Sequence, residues 1–317
     1  MADFAIEARG VSRRFGEIVA VDDLSLQVRA GEVFGFLGHN GAGKTTTVRL
    51  LNGVLQPDRG DARVLGLDPR RDGPALRART GVVTESASLD ARLTARDNLG
   101  IYADLFGVPR DEVAPRTEAL LARFGLADRA DDRVATYSTG MRQRLMLARA
   151  LLHEPEIMFL DEPTAGLDPV AARQVHELIG RLAREERRTV FLCTHNLVEA
   201  QRLCDRVAVL EHGRLAALGT PGELARQFVR RLDVDIETDA EQLDAALRAV
   251  ERAPHLIHGA PRRTNGGLAL TVAGREAIPN LLALLVENGI RVYRAAAEEP
   301  SLEDVYFALH ADREARA

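Results

Sequence analysis

Lysine is all but absent from this chain: of 42 basic residues only Lys44 is a lysine, and arginine serves everywhere else, as a GC-rich coding bias would favour. A position that keeps an ammonium on a flexible stem against that bias needs one. Cysteine is nearly as scarce. Cys193 and Cys204 are too few and wrongly spaced for a zinc site and read as two reduced structural thiols. Long apolar runs are missing too: stretches such as Leu281–Val286 have core-helix length, far short of the ~18 to 20 residues that span a bilayer. The start, MADFAIEARG, lacks the basic-then-apolar pattern of a secretory leader. The expectation is a cytosolic chain that reaches a membrane only through a partner. No basic stripe offsets the net charge of −5, because the Arg-Arg pairs at 13–14, 70–71, 187–188, 230–231 and 262–263 are scattered. That argues against nucleic acid as the main ligand.

What is present is a chain of 317 residues, long enough for a large and a small domain, with 46% hydrophobic and 28% charged residues, as in ordinary globular proteins. Residues 1–30 alternate apolar and polar, as antiparallel strands around a turn do. Glu32–Leu37, Ile157–Leu160 and Thr189–Cys193 read as buried strands, with helical patterns near 95–106, 111–124, 141–153 and 170–186. Buried strands alternating with helices imply a mostly parallel sheet covered on both faces. After about residue 228 the pattern changes to strand 232–237, helix 241–251, strands 256–260 and 268–272 joined through Asn265-Gly266-Gly267, helix 275–288, strand 290–294 and helix 301–309. That βαββαβ order is ferredoxin-like. The domains are therefore expected at 1–228 and 229–317.

Gly38-His39-Asn40-Gly41-Ala42-Gly43-Lys44-Thr45-Thr46 lies between the first buried strand and its helix, the setting of a phosphate-binding loop. Glycines let main-chain N–H groups turn toward phosphate oxygens, and the helix N-terminus adds the positive end of its dipole. Lys44 would bridge the β- and γ-phosphates, one such charge pair being worth about 4 kcal/mol at ~4 Å and an effective dielectric near ~20. The Thr45 hydroxyl is placed to ligate Mg²⁺. Such a loop alone leaves kinases, GTPases and many ATPases open. The buried strand 157–160 then runs into Asp161 and Glu162, a pair suited to holding Mg²⁺ through water and to polarising an attacking water as general base.

Tyr137-Ser138-Thr139-Gly140-Met141-Arg142-Gln143-Arg144 opens a helix and resembles the signature sequence of the ATP-binding-cassette (ABC) family. The resemblance covers roughly residues 4–225. It implies a P-loop NTPase cassette, a mixed sheet with a helical subdomain, followed here by the small ferredoxin-like α/β domain. It also implies ATP and Mg²⁺ as cofactors, with Phe15 stacking on adenine, Glu85 sensing Mg²⁺, Ser138 and Gly140 meeting the γ-phosphate, Asp168 closing the dimer-crossing loop 165–168, and His195 contacting the γ-phosphate. Glu85 and Met141 stand where the family usually has Gln. A carboxylate at 85 binds Mg²⁺ but cannot donate a hydrogen bond. In this family the signature serine cannot reach the P-loop of its own subunit, so the resemblance implies a homodimer, or a pair with a close homologue. Each ATP then lies between Lys44 of one chain and Ser138 of the other. An integral-membrane permease would carry the substrate, with this subunit on the cytoplasmic face of the membrane.

ABC ATPases of DNA repair and chromosome structure share these motifs. The coiled-coil type inserts its coil between P-loop and signature, yet Lys44 and Ser138 are 94 positions apart, and the excision-repair type carries zinc cysteines that this sequence lacks. Translation-factor relatives fuse two cassettes, where one is present here. A GTPase would need Asn-Lys-x-Asp, which the single lysine forbids. Ser301-Leu302-Glu303-Asp304-Val305-Tyr306-Phe307 resembles the end of the daunorubicin-resistance branch, which implies export of a drug, an antibiotic or another hydrophobic compound. An apolar face built from Leu281, Leu284, Leu285, Tyr306 and Phe307 is expected to hold two tails together.

Overall fold

A computed structural model describes residues 4–84, 89–229 and 231–314, with side chains to 309. The chain opens as an antiparallel hairpin, β1 (Phe4–Phe15) and β2 (Ile18–Arg29), because alternating residues such as Ile6, Ala8, Leu24, Leu26 and Val28 bury one face. Next come β3 (Val33–Leu37), α1 (Lys44–Leu51), β4 (Arg59–Val64), α2 (Gly73–Arg77) and β5 (Thr80–Val83). Three helices follow: α3 (Ala95–Phe106), α4 (Arg110–Arg123) and α5 (Thr139–Leu151), which pack on one another as a helical subdomain. The capping box of Thr94 and Asp97 starts α3, and Gly107, at φ 67°, ends it.

The chain then alternates strand and helix through β6 (Ile157–Asp161), α6 (Pro169–Arg184), β7 (Thr189–Thr194), α7 (Leu197–Leu203), β8 (Arg206–Glu211) and β9 (Arg214–Gly219). The six-stranded sheet has the order β5-β6-β7-β3-β8-β9, parallel except for β9, while β2-β1-β4 form a separate antiparallel sheet. Every residue of β3, β6 and β7 is buried, as a sheet covered on both faces demands. Phe34, Phe36 and Phe159 surround Phe191 at ring separations of 5.1–5.6 Å. Against this sheet α6 buries Val175, Leu178, Ile179 and Leu182, each worth roughly 1.5–3 kcal/mol relative to exposure. Cys193 and Cys204 are free and buried, and burial pushes both thiols up, out of reach of thiolate chemistry.

The chain divides into two compact units, Met1–Thr220 and Pro221–Ala317. The second begins with α8 (Pro221–Phe228), eight residues ahead of the boundary read from the sequence, because α8 packs with the last helix, α11 (Leu302–Glu314). Between them lie β10 (Leu232–Thr238), α9 (Leu243–Glu251), β11 (Arg262–Thr264), β12 (Gly267–Val272), α10 (Ala277–Glu287) and β13 (Val292–Ala297). The order β11-β12-β10-β13, antiparallel throughout, is that of a ferredoxin-like sheet. The hairpin at Asn265-Gly266 is present, but its first strand is Arg262–Thr264 rather than 256–260. Gly259 at φ 76° and Pro261 interrupt the earlier run, of which a single bridge, Ile257 to Val272, remains. Close pairing with β10 leaves room only for glycine at 267, where a Cβ would run into the Ile236 carbonyl oxygen.

The apolar face expected to join two tails is not available as expected. Leu281 and Leu285 are fully buried in the unit's own core with Val234, Ile236, Leu268 and Val250, leaving Leu284 and Tyr306 half-buried and Phe307 exposed. Among the described residues, no helix is long and apolar enough to cross a membrane.

Candidate active site

The loop from Gly38 to Gly43 leaves β3 and enters α1, and its shape depends on glycine. Gly41 and Gly43 take φ of 86° and 107°, angles that side chains with a Cβ resist. A Cβ on Gly38 would sit 2.5 Å from the Leu210 carbonyl oxygen, and one on Gly43 2.2 Å from that of Ala20. Ala42 is buried beneath the loop, His39 lies half-buried with its ring edge-on to His212, and Asn40 is exposed. Gly43 caps α1 without a side-chain acceptor, so no side chain competes for the N–H groups of that first turn, which includes Thr46.

Lys44 is buried, and its Nζ donates to the Gly38 carbonyl oxygen at 2.5 Å while standing 3.6 Å from Glu162 Oε1. The Thr45 hydroxyl donates to Asp161 Oδ2 at 2.8 Å, joining the start of α1 to the end of β6. One residue on, Glu162 adopts φ 52°, left-handed backbone that costs of order 1–3 kcal/mol in a residue with a side chain. The strain aims the carboxylate back over the loop while its N–H donates to the Cys193 carbonyl oxygen at 2.9 Å. His195, just past β7, lies with Nδ1 2.8 Å from Glu162 Oε1. A carboxylate only accepts, so Nδ1 carries the proton there.

Lys44, Thr45, Asp161, Glu162 and His195 thus meet in one cluster. A second group assembles elsewhere on the same unit. Ser138 caps α5, accepting from the Met141 N–H at 3.2 Å, so the contribution of Met141 here is its main chain. Asp168 caps α6 through the N–H groups of Val170 and Ala171, each at 2.9 Å. A Cβ on Gly140 would stand 3.3 Å from the Cβ of Ala171, so the starts of α5 and α6 adjoin. Phe15 ends β1 half-exposed, with the Arg13 guanidinium 4.9 Å from its ring centroid. Glu85 lies outside the described residues.

Sequence reading did not single out Arg13, nor four residues behind the cluster of Lys44, Asp161, Glu162 and His195: Thr164, His176, Thr194 and Glu199. Glu199 is a buried acid three positions after Asn196, which caps α7 by accepting from the Glu199 N–H. An acid at that position of a first turn reads as a surface cap, so its spacing gave no sign that the side chain turns inward.

A glycine loop at the start of a helix, with a buried lysine and an Asp-Glu strand end facing it, defines a P-loop nucleoside triphosphatase. Residues 21–165 match the ABC transporter family. The chain is 40% identical over 98% of its length to the daunorubicin resistance ATP-binding protein DrrA3 of Streptomyces coeruleorubidus, of which 98% is covered. It is 38% identical over 96% of its length to the Nod factor export ATP-binding protein I of Cupriavidus pinatubonensis, of which 90% is covered. A solved ATP-binding subunit of an ABC transporter aligns with a TM-score of 0.65 and 31% identity, covering 71% of this chain and 93% of that one. The chain belongs to the ABC transporter family, as an ATP-binding and ATP-hydrolysing subunit.

Proposed function

We infer that this subunit works as a dimer, with itself or a close homologue, whose two ATP sites are each completed across the interface, and that it powers export of a drug, antibiotic or other hydrophobic compound through a separate membrane permease. The observation that carries the reading is the division of the site. One chain holds a catalytic group at Lys44 and Glu162 and, apart from it, a group at Ser138, Gly140 and Asp168, in which Ser138 and Asp168 accept from N–H groups at the starts of α5 and α6. Two chains meeting head to tail would bring complementary groups together.

In this reading Lys44 and the N–H groups of the glycine loop hold the β- and γ-phosphates, with His39, Asn40, Ala42 and Thr46 shaping the cradle. Phe15 stacks on adenine. Glu162 takes the proton of the attacking water, and His195, held by Glu162, faces the γ-phosphate. The Thr45 hydroxyl and the Asp161 carboxylate, 2.8 Å apart, form a hard-oxygen pair that fits Mg²⁺. Mg²⁺ held there, and sensed by Glu85, would neutralise charge on the phosphates. The names of the relatives, one for daunorubicin resistance and one for Nod factor export, support export as the direction. The subunit would then sit on the cytoplasmic face of the membrane, held by its permease. Co-purification with a membrane protein of about six apolar helices, then ATPase assays against hydrophobic compounds, tests this. Turnover unmoved by any compound and no membrane partner in the purified material would overturn it.

A further inference from the structure

Behind the catalytic cluster sits a carboxylate that no step above uses. Glu199 lies in α7, and its side chain has no exposure. A buried acid persists only where donors meet it, and Glu199 has three. Its Oε1 accepts from the Thr164 hydroxyl at 2.9 Å and from His176 Nε2 at 2.9 Å, and its Oε2 accepts from the Thr194 hydroxyl at 2.8 Å. The donors come from separate segments. Thr164 is in the loop joining Glu162 to Asp168, His176 is in the middle of α6, and Thr194 ends β7 beside His195.

Thr194 is where two carboxylates compete. Its oxygen accepts from the Asn196 N–H at 3.0 Å and stands 3.4 Å from Glu162 Oε2. A hydroxyl has one proton to give, and the 2.8 Å bond to Glu199 takes it. Glu162 Oε2 is left without that donor. Through Thr164 the same carboxylate fixes the loop that runs to Asp168.

We propose that Glu199 is a positioning residue for the hydrolytic reaction: it holds the Thr194 proton away from Glu162 and ties the loop toward Asp168 to the strand end that carries His195. The proposal rests on the reading of Glu162 as the base. It makes an unusual demand on paired substitutions. In Glu199→Gln the amide oxygen keeps Thr164 and His176, and the NH₂ faces Thr194, donor against donor. The Thr194 hydroxyl then turns to Glu162 Oε2 and occupies it. Removing that hydroxyl as well, in Thr194→Val with Glu199→Gln, frees Glu162 again, although packing around residue 199 is no better than before.

The test is steady-state ATPase kinetics on the full chain. Glu199→Gln should lower kcat about tenfold, with KM for ATP within about twofold, the pattern of an interaction felt in the transition state. The double variant should recover to within about threefold of wild type. Thr164→Val, an isosteric change at a half-buried site, covers the case in which Glu199→Gln does not fold. It breaks the tie to the loop that Glu199→Gln keeps, and should speed amide hydrogen exchange across residues 164–168. Wild-type kcat in Glu199→Gln, a double variant no faster than that single one, or unchanged exchange would each overturn the proposal. Should Glu162→Gln retain full turnover, the catalytic reading fails separately. The exchange measurement, which needs no catalysis, then decides the tie by itself.

Discussion

The two units bury aliphatic side chains alike and treat charge in opposite ways. In the first, Lys44, Asp161, Glu199 and Glu211 are buried, and Glu162 is held in left-handed backbone. In the second, Thr238 is the one buried polar residue among those described, and β10 turns Asp233, Asp235 and Glu237 outward from a core of Val234 and Ile236. Among the described residues, non-glycine positions with positive φ follow the same division: Asp23, Leu65, Glu154, Glu162, Arg187 and His212 all precede residue 220. Buried charge and strained backbone cost stability and persist where they serve a site. Buried charge and strained backbone thus gather in the first unit, and the second is, among the described residues, an alternating sheet backed by helices.

The sharpest way to break that contrast is Glu162→Gln. If the strained carboxylate is the base, kcat falls at least ~100-fold with ATP binding kept. The variant should then accumulate as an ATP-bound dimer in gel filtration. Near-wild-type turnover removes Glu162 from the mechanism.

Lys44→Arg keeps the charge and changes its shape. The ammonium is buried against the Gly38 carbonyl oxygen at 2.5 Å, and a planar guanidinium fork is wider than that space. Calorimetry should show ATP affinity falling at least ~10-fold, about 1.4 kcal/mol. Unchanged affinity would make the single lysine an accident of composition.

A smaller effect concerns pH. His153 stacks on Phe106 at 4.1 Å, and its Nε2 donates to the Thr80 carbonyl oxygen at 3.0 Å. Burial lowers its pKa from 6.5, the Thr80 bond opposes this, and Arg188 adds to the lowering. The folded state thus favours neutral imidazole, while the unfolded chain takes up a proton near pH ~6.5. Its contribution is complete above that value and is lost as pH falls through it toward the folded pKa. Thermal unfolding from pH 7 to 5 should show a decline that His153→Phe, which keeps a stacking ring, makes shallower. Identical slopes would take His153 out of the acid response.

Much of this was legible because it is local. A P-loop, a strand-end Asp-Glu and a signature opening a helix are each a few residues long, and their geometry follows from neighbours in the chain. The network around Glu199 was not, since Thr164, His176 and Thr194 reach it only once α6 and α7 pack beside β7. The tail shows a different limit. A helical period identifies an apolar stripe on α10 but does not say whether it faces the unit's own sheet or another copy. Leu281 and Leu285 face the unit's own core. The hairpin strand slipped for a backbone reason, Gly259 and Pro261, that apolar patterning does not register.

The smallest expected effect comes from removing the tail altogether, by deleting residues 221–317. One core cluster lies wholly within the first unit and another wholly within the second, so the deletion should leave a folded cassette. Every residue placed at the nucleotide precedes Thr220, and ATP affinity should stay within about twofold, a few tenths of a kcal/mol. The open question is assembly. A tether raises effective concentration, so a tail that held two subunits together would make turnover of the truncated form depend more steeply on protein concentration. With Leu281 and Leu285 committed inside the tail, Leu284 and Tyr306 half-buried and Phe307 at 68% exposure, the surface available for such a tether is small. Turnover per subunit measured across a dilution series should therefore give parallel curves for the two forms. A steeper fall for the truncated form would show that the tail joins subunits after all, through a surface other than the α10 stripe.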